Sequence, residues 1–230
     1  MSVIVKICGL STEETVDAAL AAGADMIGFV FFPKSPRAVT LERAAALAER
    51  VRGRAEIVAL TVDMDDAGLA AIVDTVKPDW IQLHGGESAA RVAEIRARFG
   101  IKVMKALGIS AAEDLARIPA HAEVADRLLL DAKPPKGAAL PGGNGVTFDW
   151  RLLDALDPGL SYMLSGGLDP DNVAGALALT RPAGIDVSSG VESAPGIKDP
   201  DRIRAFIAAI RGFRPNADQG PATAGERMTS

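Results

Sequence analysis

The sequence predicts a single α/β domain closed into a (β/α)8 barrel, the TIM-barrel architecture, and three observations carry the prediction. Short apolar runs rich in β-branched residues alternate with Ala-rich stretches of helical period almost to the end of the chain. Eight such strand–helix units fit in 230 residues, near the roughly 250 typical of the fold. The runs are continuously apolar, as in parallel strands covered on both faces. That last feature also fits an open doubly wound sheet; the count and the length favour closure.

The units follow in order. Strand 3–7 precedes a helix over 12–22 with Ser11 as its cap, and strand 26–30 precedes a helix over 41–51 behind Thr40. Strand 56–61 leads to a helix over 67–76 behind Asp66, and strand 80–83 to one over 89–99 behind Ser88. Strand 102–107 is followed by a helix over 111–118 behind Ser110, and strand 127–131 by a short helix over 150–156 behind Asp149. Strand 161–165 leads to a helix over 170–179 behind Asp169, and strand 184–187 to one over 200–210 behind Asp199. Ser, Thr and Asp side chains at these positions accept from unpaired first-turn N–H groups. Pro170 and Pro200 stand at the first helical position, where the missing N–H costs nothing.

Between the sixth and seventh strands, residues 132–146 hold adjacent prolines, several glycines and no periodicity. Such long loops in compact domains are functional lids or insertions, and in a barrel this one hangs over the catalytic face. No composition break divides 1–213, which reads as one catalytic barrel. Residues 214–230 are polar, small and aperiodic, a tail expected to be disordered.

Composition excludes several classes of function. A 48% hydrophobic content rules out chain-wide disorder. One Cys forms no intramolecular disulfide, so a reducing, cytoplasmic setting is expected. No stretch approaches 18 uncharged apolar residues, and the start lacks a signal-peptide pattern, so no membrane role is expected. With net charge −5 and scattered Lys and Arg, nucleic acid is not the expected partner. A small anionic ligand held locally stays open.

In a (β/α)8 barrel the C-terminal strand ends build the active site. The first strand ends in Lys6-Ile7-Cys8-Gly9. A lone Cys is commonly a small buried hydrophobe; at this position it is also a candidate nucleophile or base, tunable by Lys6. The sixth strand ends in Asp131, a turn cap or, under a closable loop, a general acid. Cys8 and Asp131 would face each other across the mouth. Ser165-Gly166-Gly167-Leu168 follows the seventh strand and Asp186-Val187-Ser188-Ser189-Gly190 the eighth. Glycine loops there, with a short extra helix after the eighth strand, form the recurrent phosphate site of the fold.

Arg37, which ends a segment held by Pro33 and Pro36, is a candidate carboxylate ligand or a solvated surface residue. His84 ends the fourth strand and could wall the site or be a satisfied structural imidazole; His121 reads as a surface residue. One Cys and two distant His build no zinc site, and no G-x-G-x-x-G follows the first strand, so neither metal nor dinucleotide is expected.

These residues carry a resemblance. Lys6-Ile7-Cys8-Gly9-Leu10, Gly28-Phe29 with Phe32 and Ser35-Pro36-Arg37, and Gln82-Leu83-His84-Gly85 are similar to motifs of the phosphoribosylanthranilate isomerases. So are Leu130-Asp131, Gly142-Gly143-Asn144-Gly145 with Phe148-Asp149-Trp150, Ser165-Gly166-Gly167-Leu168, and Asp186 through Glu192. The matches run in order from residue 6 to about 210. The resemblance implies a cofactor-free Amadori isomerisation of a small phosphorylated substrate in tryptophan biosynthesis. It implies Asp131 as acid and Cys8 as base. It further implies Arg37 at the anthranilate carboxylate, and the backbone of Gly166, Gly167, Ser188, Ser189 and Gly190 at the phosphate. Asp186 and His84 follow as substrate contacts near the ribose and the site wall. The chain departs from the family pattern at Ala132 and in its GGNG lid, and the tail has no counterpart; a monomer or weak homodimer is expected.

Three rivals remain at this point. The related histidine-pathway isomerase resembles a barrel with Asp at both catalytic strand ends, against which Cys8 counts. Indole-glycerol-phosphate synthase needs a Lys and Glu constellation, hinted at by Lys105. The third is a catalytically silent phosphate-binding barrel.

Overall fold

The computed structural model describes residues 3–133, 142, 143, 145 and 147–214; most of the 132–146 loop and nearly all of the 214–230 tail lie outside them. Eight parallel strands close in sequence order into one barrel: β1 Ile4–Cys8, β2 Met26–Val30, β3 Glu56–Thr61, β4 Trp80–Leu83, β5 Lys102–Ile109, β6 Arg127–Ala132, β7 Tyr162–Leu164 and β8 Gly184–Val187. β8 returns to β1 with Lys6 opposite Asp186.

The outer ring holds α1 Glu13–Ala22, α2 Leu41–Val51, α3 Asp66–Val76, α4 Ala89–Phe99, α5 Ile118–Ala122, α6 Val173–Thr180 and α7 Pro200–Gly212. Thr40, Ser88 and Asp199 cap α2, α4 and α7 as expected. Thr12 caps α1 in place of Ser11, and Asp65 caps α3 in place of Asp66, each accepting the N–H three residues on.

Three helices depart from expectation. The segment after β5 is a 3-10 turn, Ala112–Arg117, running into the short α5, because Asp114 folds back onto the N–H groups of Ser110 and Ala111. The segment behind Asp149 is a 3-10 helix, Trp150–Ala155. α6 starts three residues after Pro170, since Asp169 accepts from Asp171 and Asn172 and makes a turn there. After β8, a 3-10 turn Ser189–Val191 leads into an unforeseen hairpin, β9 Glu192–Ala194 with β10 Ile197–Lys198.

The barrel floor, at the N-terminal strand ends, is filled by Met26, Val58, Trp80, Met104, Ala106, Leu129 and Met163. It is stitched by a repeated device. The carboxylates of Asp25, Asp79 and Asp126, each one residue before an even-numbered strand, accept the N–H of Val5, Ile57 and Val103 on the preceding strand at 2.7, 2.7 and 2.9 Å. Polar atoms buried at strand ends are thereby satisfied, and the opposite end is left free to carry charge.

Candidate active site

At the C-terminal strand ends one cleft is lined by Cys8, Arg37, His84, Asp131, Asp186, Ser188 and Ser189, among others. Sequence reasoning placed all of these in the site, from β1, β4, β6, β8 and the loops after β2 and β8. Period-2 alternation explains the convergence: side chains two apart share a face. Lys6 and Cys8 therefore point into the barrel, as do Gln82 with His84 and Asp186 with Ser188.

The thiol of Cys8 is 3% exposed. Burial pushes its pKa up; the neighbouring Lys6 ammonium pulls it down, Asp186 pushes it up again, and the balance lies above the usual thiol value. Lys6 is fully buried and donates to Asp186 Oδ1 at 2.6 Å. Burial works against that ammonium, but Asp186 and Cys8 hold its pKa above the usual amine value. Asp186 Oδ2 also accepts from the Ser165 hydroxyl at 3.1 Å. Asp186 thus orients Lys6 beneath the thiol as well as lining the cleft, and Lys6, whose charge interrupts an apolar strand, belongs to the site.

Across the cleft, Asp131 Oδ1 accepts the N–H of Ala132 at 2.9 Å, and its Oδ2 lies 3.2 Å from His84 Nε2. Gln82 Nε2 donates to His84 Nδ1 at 3.2 Å, which leaves Nε2 to carry the ring proton toward the carboxyl. Gly142 lies directly over this pair: a Cβ there would stand 2.7 Å from Asp131 Oδ2 and 2.9 Å from His84 Cε1.

Arg37 is buried, not solvated, and forks onto Glu192, with Nε 2.7 Å from Oε1 and Nη2 2.9 Å from Oε2. Val30, Phe32, Leu60 and Val62 pack with Cys8 into an apolar wall of the cleft. The same cleft is lined by Ser165, Gly166 and Gly167 from the loop after β7 and by Ser188 and Ser189 from the loop after β8. Gly166 has φ 93° and a Cβ on it would lie 2.4 Å from the nitrogen of Ala132. A Cβ on Gly190 would lie 1.8 Å from the carbonyl oxygen of Leu168. Gly190 therefore packs the two loops together and does not itself line the cleft. The N–H groups of Gly166, Gly167 and Ser189 donate to no backbone or side-chain acceptor among the described residues. Consecutive free donors of this kind make a cradle for an anion.

A protein-family model described as N-(5'-phosphoribosyl)anthranilate (PRA) isomerase matches residues 5–209. The chain belongs to the phosphoribosylanthranilate isomerase family. It is 64% identical over 211 residues to an N-(5'-phosphoribosyl)anthranilate isomerase of Rhodopseudomonas palustris, covering 92% of this chain and 97% of the relative. A Nitrobacter hamburgensis relative of the same name is 59% identical, covering 94% and 96%. Among solved structures, the phosphoribosylanthranilate isomerase of Thermotoga maritima superposes with TM-score 0.82 at 37% identity, covering 91% of this chain and 99% of that one. A family structure in complex with reduced 1-(o-carboxyphenylamino)-1-deoxyribulose 5-phosphate superposes with TM-score 0.78 at 34% identity, covering 91% and 99%.

In this member of the phosphoribosylanthranilate isomerase family two sequence readings change. His121 is buried, its Nδ1 2.9 Å from the Arg117 carbonyl and its Nε2 3.3 Å from that of Glu87; it joins α5 to the loop before α4. Lys105 is buried outside the cleft lining, donating to Glu87 and to the carbonyls of Leu83 and Gly85 at 2.6, 3.3 and 2.8 Å. It braces the turn that carries His84, and the hint of a synthase falls away. Sequence reasoning missed Gln82, Glu192 and Lys198 as site support. Glu192 and Arg37 are 155 positions apart, and no local pattern joins them. Among the described residues no cluster of metal-ligating side chains occurs and no helix is long and apolar enough to cross a membrane.

Proposed function

We infer that the protein catalyses the Amadori rearrangement of N-(5-phosphoribosyl)anthranilate to 1-(2-carboxyphenylamino)-1-deoxyribulose 5-phosphate, a step of tryptophan biosynthesis. The observation that carries the residue assignments is the joint lining of one cleft by Cys8, Asp131, the Arg37 guanidinium and an N–H cradle. This combination suits a substrate with a carboxylate on an aromatic ring and a phosphate.

Asp131, as the general acid, gives a proton to the furanose ring oxygen. The C1′–O bond breaks, and the nitrogen lone pair forms the C=N bond of a protonated Schiff base. The carboxylate left behind is stabilised by the N–H groups of Ala132 and His84. Cys8, as thiolate, removes the proton from C2′; the electron pair moves toward the iminium nitrogen and gives an enolamine, which tautomerises to the ketone. The Schiff base is the electron sink, so these side chains suffice without a cofactor. Lys6 stabilises the thiolate while the base is charged.

Arg37 binds the anthranilate carboxylate, with the ring against Val30, Phe32, Leu60 and Val62. Gly166, Gly167, Ser188 and Ser189 bind the phosphate, with Gly190 shaping that loop, and Asp186 and His84 face the ribose. The barrel is proposed to span 1–213 and to act in the cytoplasm, where a reduced Cys8 persists. A monomer or weak homodimer is the expected assembly, in keeping with only two exposed large hydrophobics, Leu179 and Ile197, among the described residues; sedimentation at micromolar concentration distinguishes it from a tight oligomer. Loss of anthranilate fluorescence during conversion tests the activity, and absence of turnover on intact substrate overturns it.

A further inference from the structure

Lys198 lies on β10, outside every motif that points to the reaction, yet its side chain is only 1% exposed. Its ammonium donates to Glu192 Oε1 at 2.7 Å, to the Ser188 carbonyl at 2.8 Å and to the Ser188 hydroxyl at 3.1 Å. All three N–H bonds are thereby used. Each acceptor leads into the site. Glu192 is the carboxylate that forks Arg37, and its Oε2 also accepts the Gly196 N–H at 3.2 Å. Ser188 opens the loop at the phosphate end, and its hydroxyl donates to the carbonyl of Cys8 at 3.2 Å.

One buried carboxylate thus stands between two buried cations, and the net charge of the triad is +1. An isolated lysine costs free energy to bury, so an ammonium seated here needs its partners. Replacing Glu192 and Lys198 by apolar residues would satisfy packing alone; the charged arrangement also fixes where Arg37 and Ser188 sit relative to each other.

We propose that Lys198 is a positioning residue of this isomerase, tying the guanidinium at the carboxylate end to the loop at the phosphate end so that both anion sites are held by one charge network. The proposal rests on the assignment of Arg37 and Ser188 made above. Its test uses ligand binding, which reads the network independently of turnover.

The groups facing Lys198 are Glu192 from its own hairpin, Arg37 from the loop after β2, and Cys8 from the end of β1. Burial lowers the Lys198 pKa, Glu192 raises it, Arg37 lowers it and Cys8 raises it, leaving it at about 8. Burial raises the pKa of Glu192, but Arg37 and Lys198 outweigh that and hold it below the usual carboxylate value, so it is charged throughout the neutral range. A phosphate monoester is already dianionic there, with a second pKa near about 6. Between pH 7 and 9 the triad therefore goes from +1 toward 0 as Lys198 loses its proton, and the titration of Cys8 is removed by working in a Cys8→Ala background.

The experiment measures the Kd of the reduced product analogue, which carries both anions, and of inorganic phosphate, from pH 6.5 to 9.5. In the Cys8→Ala protein, analogue affinity is expected to fall about tenfold as pH rises through Lys198's titration. Lys198→Arg, charged across the range, removes that fall, and Lys198→Met is weak at every pH. A cycle with Arg37→Ala gives an analogue loss smaller than the sum of the single losses, because each variant already breaks the shared network. Pairs without coupling add. A fall of equal size in Lys198→Arg, additive losses, or wild-type affinity in Lys198→Met would each overturn the proposal. If Lys198→Met does not fold, the Lys198→Arg pH profile decides alone. If Arg37→Ala leaves analogue binding unchanged, the carboxylate assignment fails instead, and the inorganic phosphate arm still tests Lys198.

Discussion

The two ends of the barrel are made by the same strands and solve opposite problems. At the floor, Met26, Trp80, Met104 and Met163 fill the interior, and Asp25, Asp79 and Asp126 satisfy strand N–H groups. The guanidinium of Arg127 stands 4.8 Å from the Trp80 ring and closes the plug. At the mouth the same inward positions carry Lys6, Cys8, Gln82, His84, Asp131 and Asp186, and donors at Gly166, Gly167 and Ser189 lack acceptors among the described residues. Charge at the floor meets strand N–H groups or stacks on Trp80, whereas at the mouth ion pairs such as Lys6 with Asp186 and Arg37 with Glu192 gather around one cleft. The difference teaches that inward polarity along a strand, read with its distance from the strand's end, separates packing from chemistry.

Variants at the two ends should therefore have opposite signatures. The largest expected effect is at the mouth: Asp131→Asn lowers kcat by about 100- to 10,000-fold, the range for general acid–base groups, with the thermal midpoint nearly unchanged. A large drop in midpoint would move Asp131 into the structural class. Trp80→Ala should cost about 3–5 kcal/mol of stability and leave kcat intact below the new midpoint; equal turnover loss in the folded fraction would break the separation. Arg37→Ala comes next, raising KM about 10- to 100-fold, the worth of charge-assisted hydrogen bonds, and sparing ligands without the carboxylate.

The smallest effect is a pH shift. Because burial raises the Cys8 pKa despite Lys6, the thiolate fraction grows with pH, and alkylation of the free enzyme by iodoacetamide should accelerate to a midpoint above the usual thiol value. Removing the cation in Lys6→Met pushes that midpoint higher still. A midpoint at or below the usual value would mean that the thiol is activated in the resting protein.

Most of the fold was legible in the sequence because its cues are local: eight apolar runs and caps such as Thr40, Ser88 and Asp199 act within four residues. The departures have local causes too, as when Asp169 makes a turn and delays α6 beyond Pro170. The site was half legible. Strand ends marked Cys8, Asp131 and His84, and glycines marked the cradle. What stayed hidden depends on pairing between segments far apart in sequence, including Lys6 with Asp186, 180 positions apart on neighbouring strands, and Arg37 with Glu192 and Lys198. His121 was misread as exposed because its polar surroundings in sequence fold inward onto two carbonyls.

The central claim is that chemistry at the mouth depends on Cys8 as base and not on its packing. The measurement that meets it most directly is kcat of Cys8→Ala by anthranilate fluorescence, with the Kd of the reduced product analogue determined on the same sample. The account predicts that kcat falls at least about 100-fold while the Kd stays within about twofold. A kcat equal to that of the wild type would contradict it.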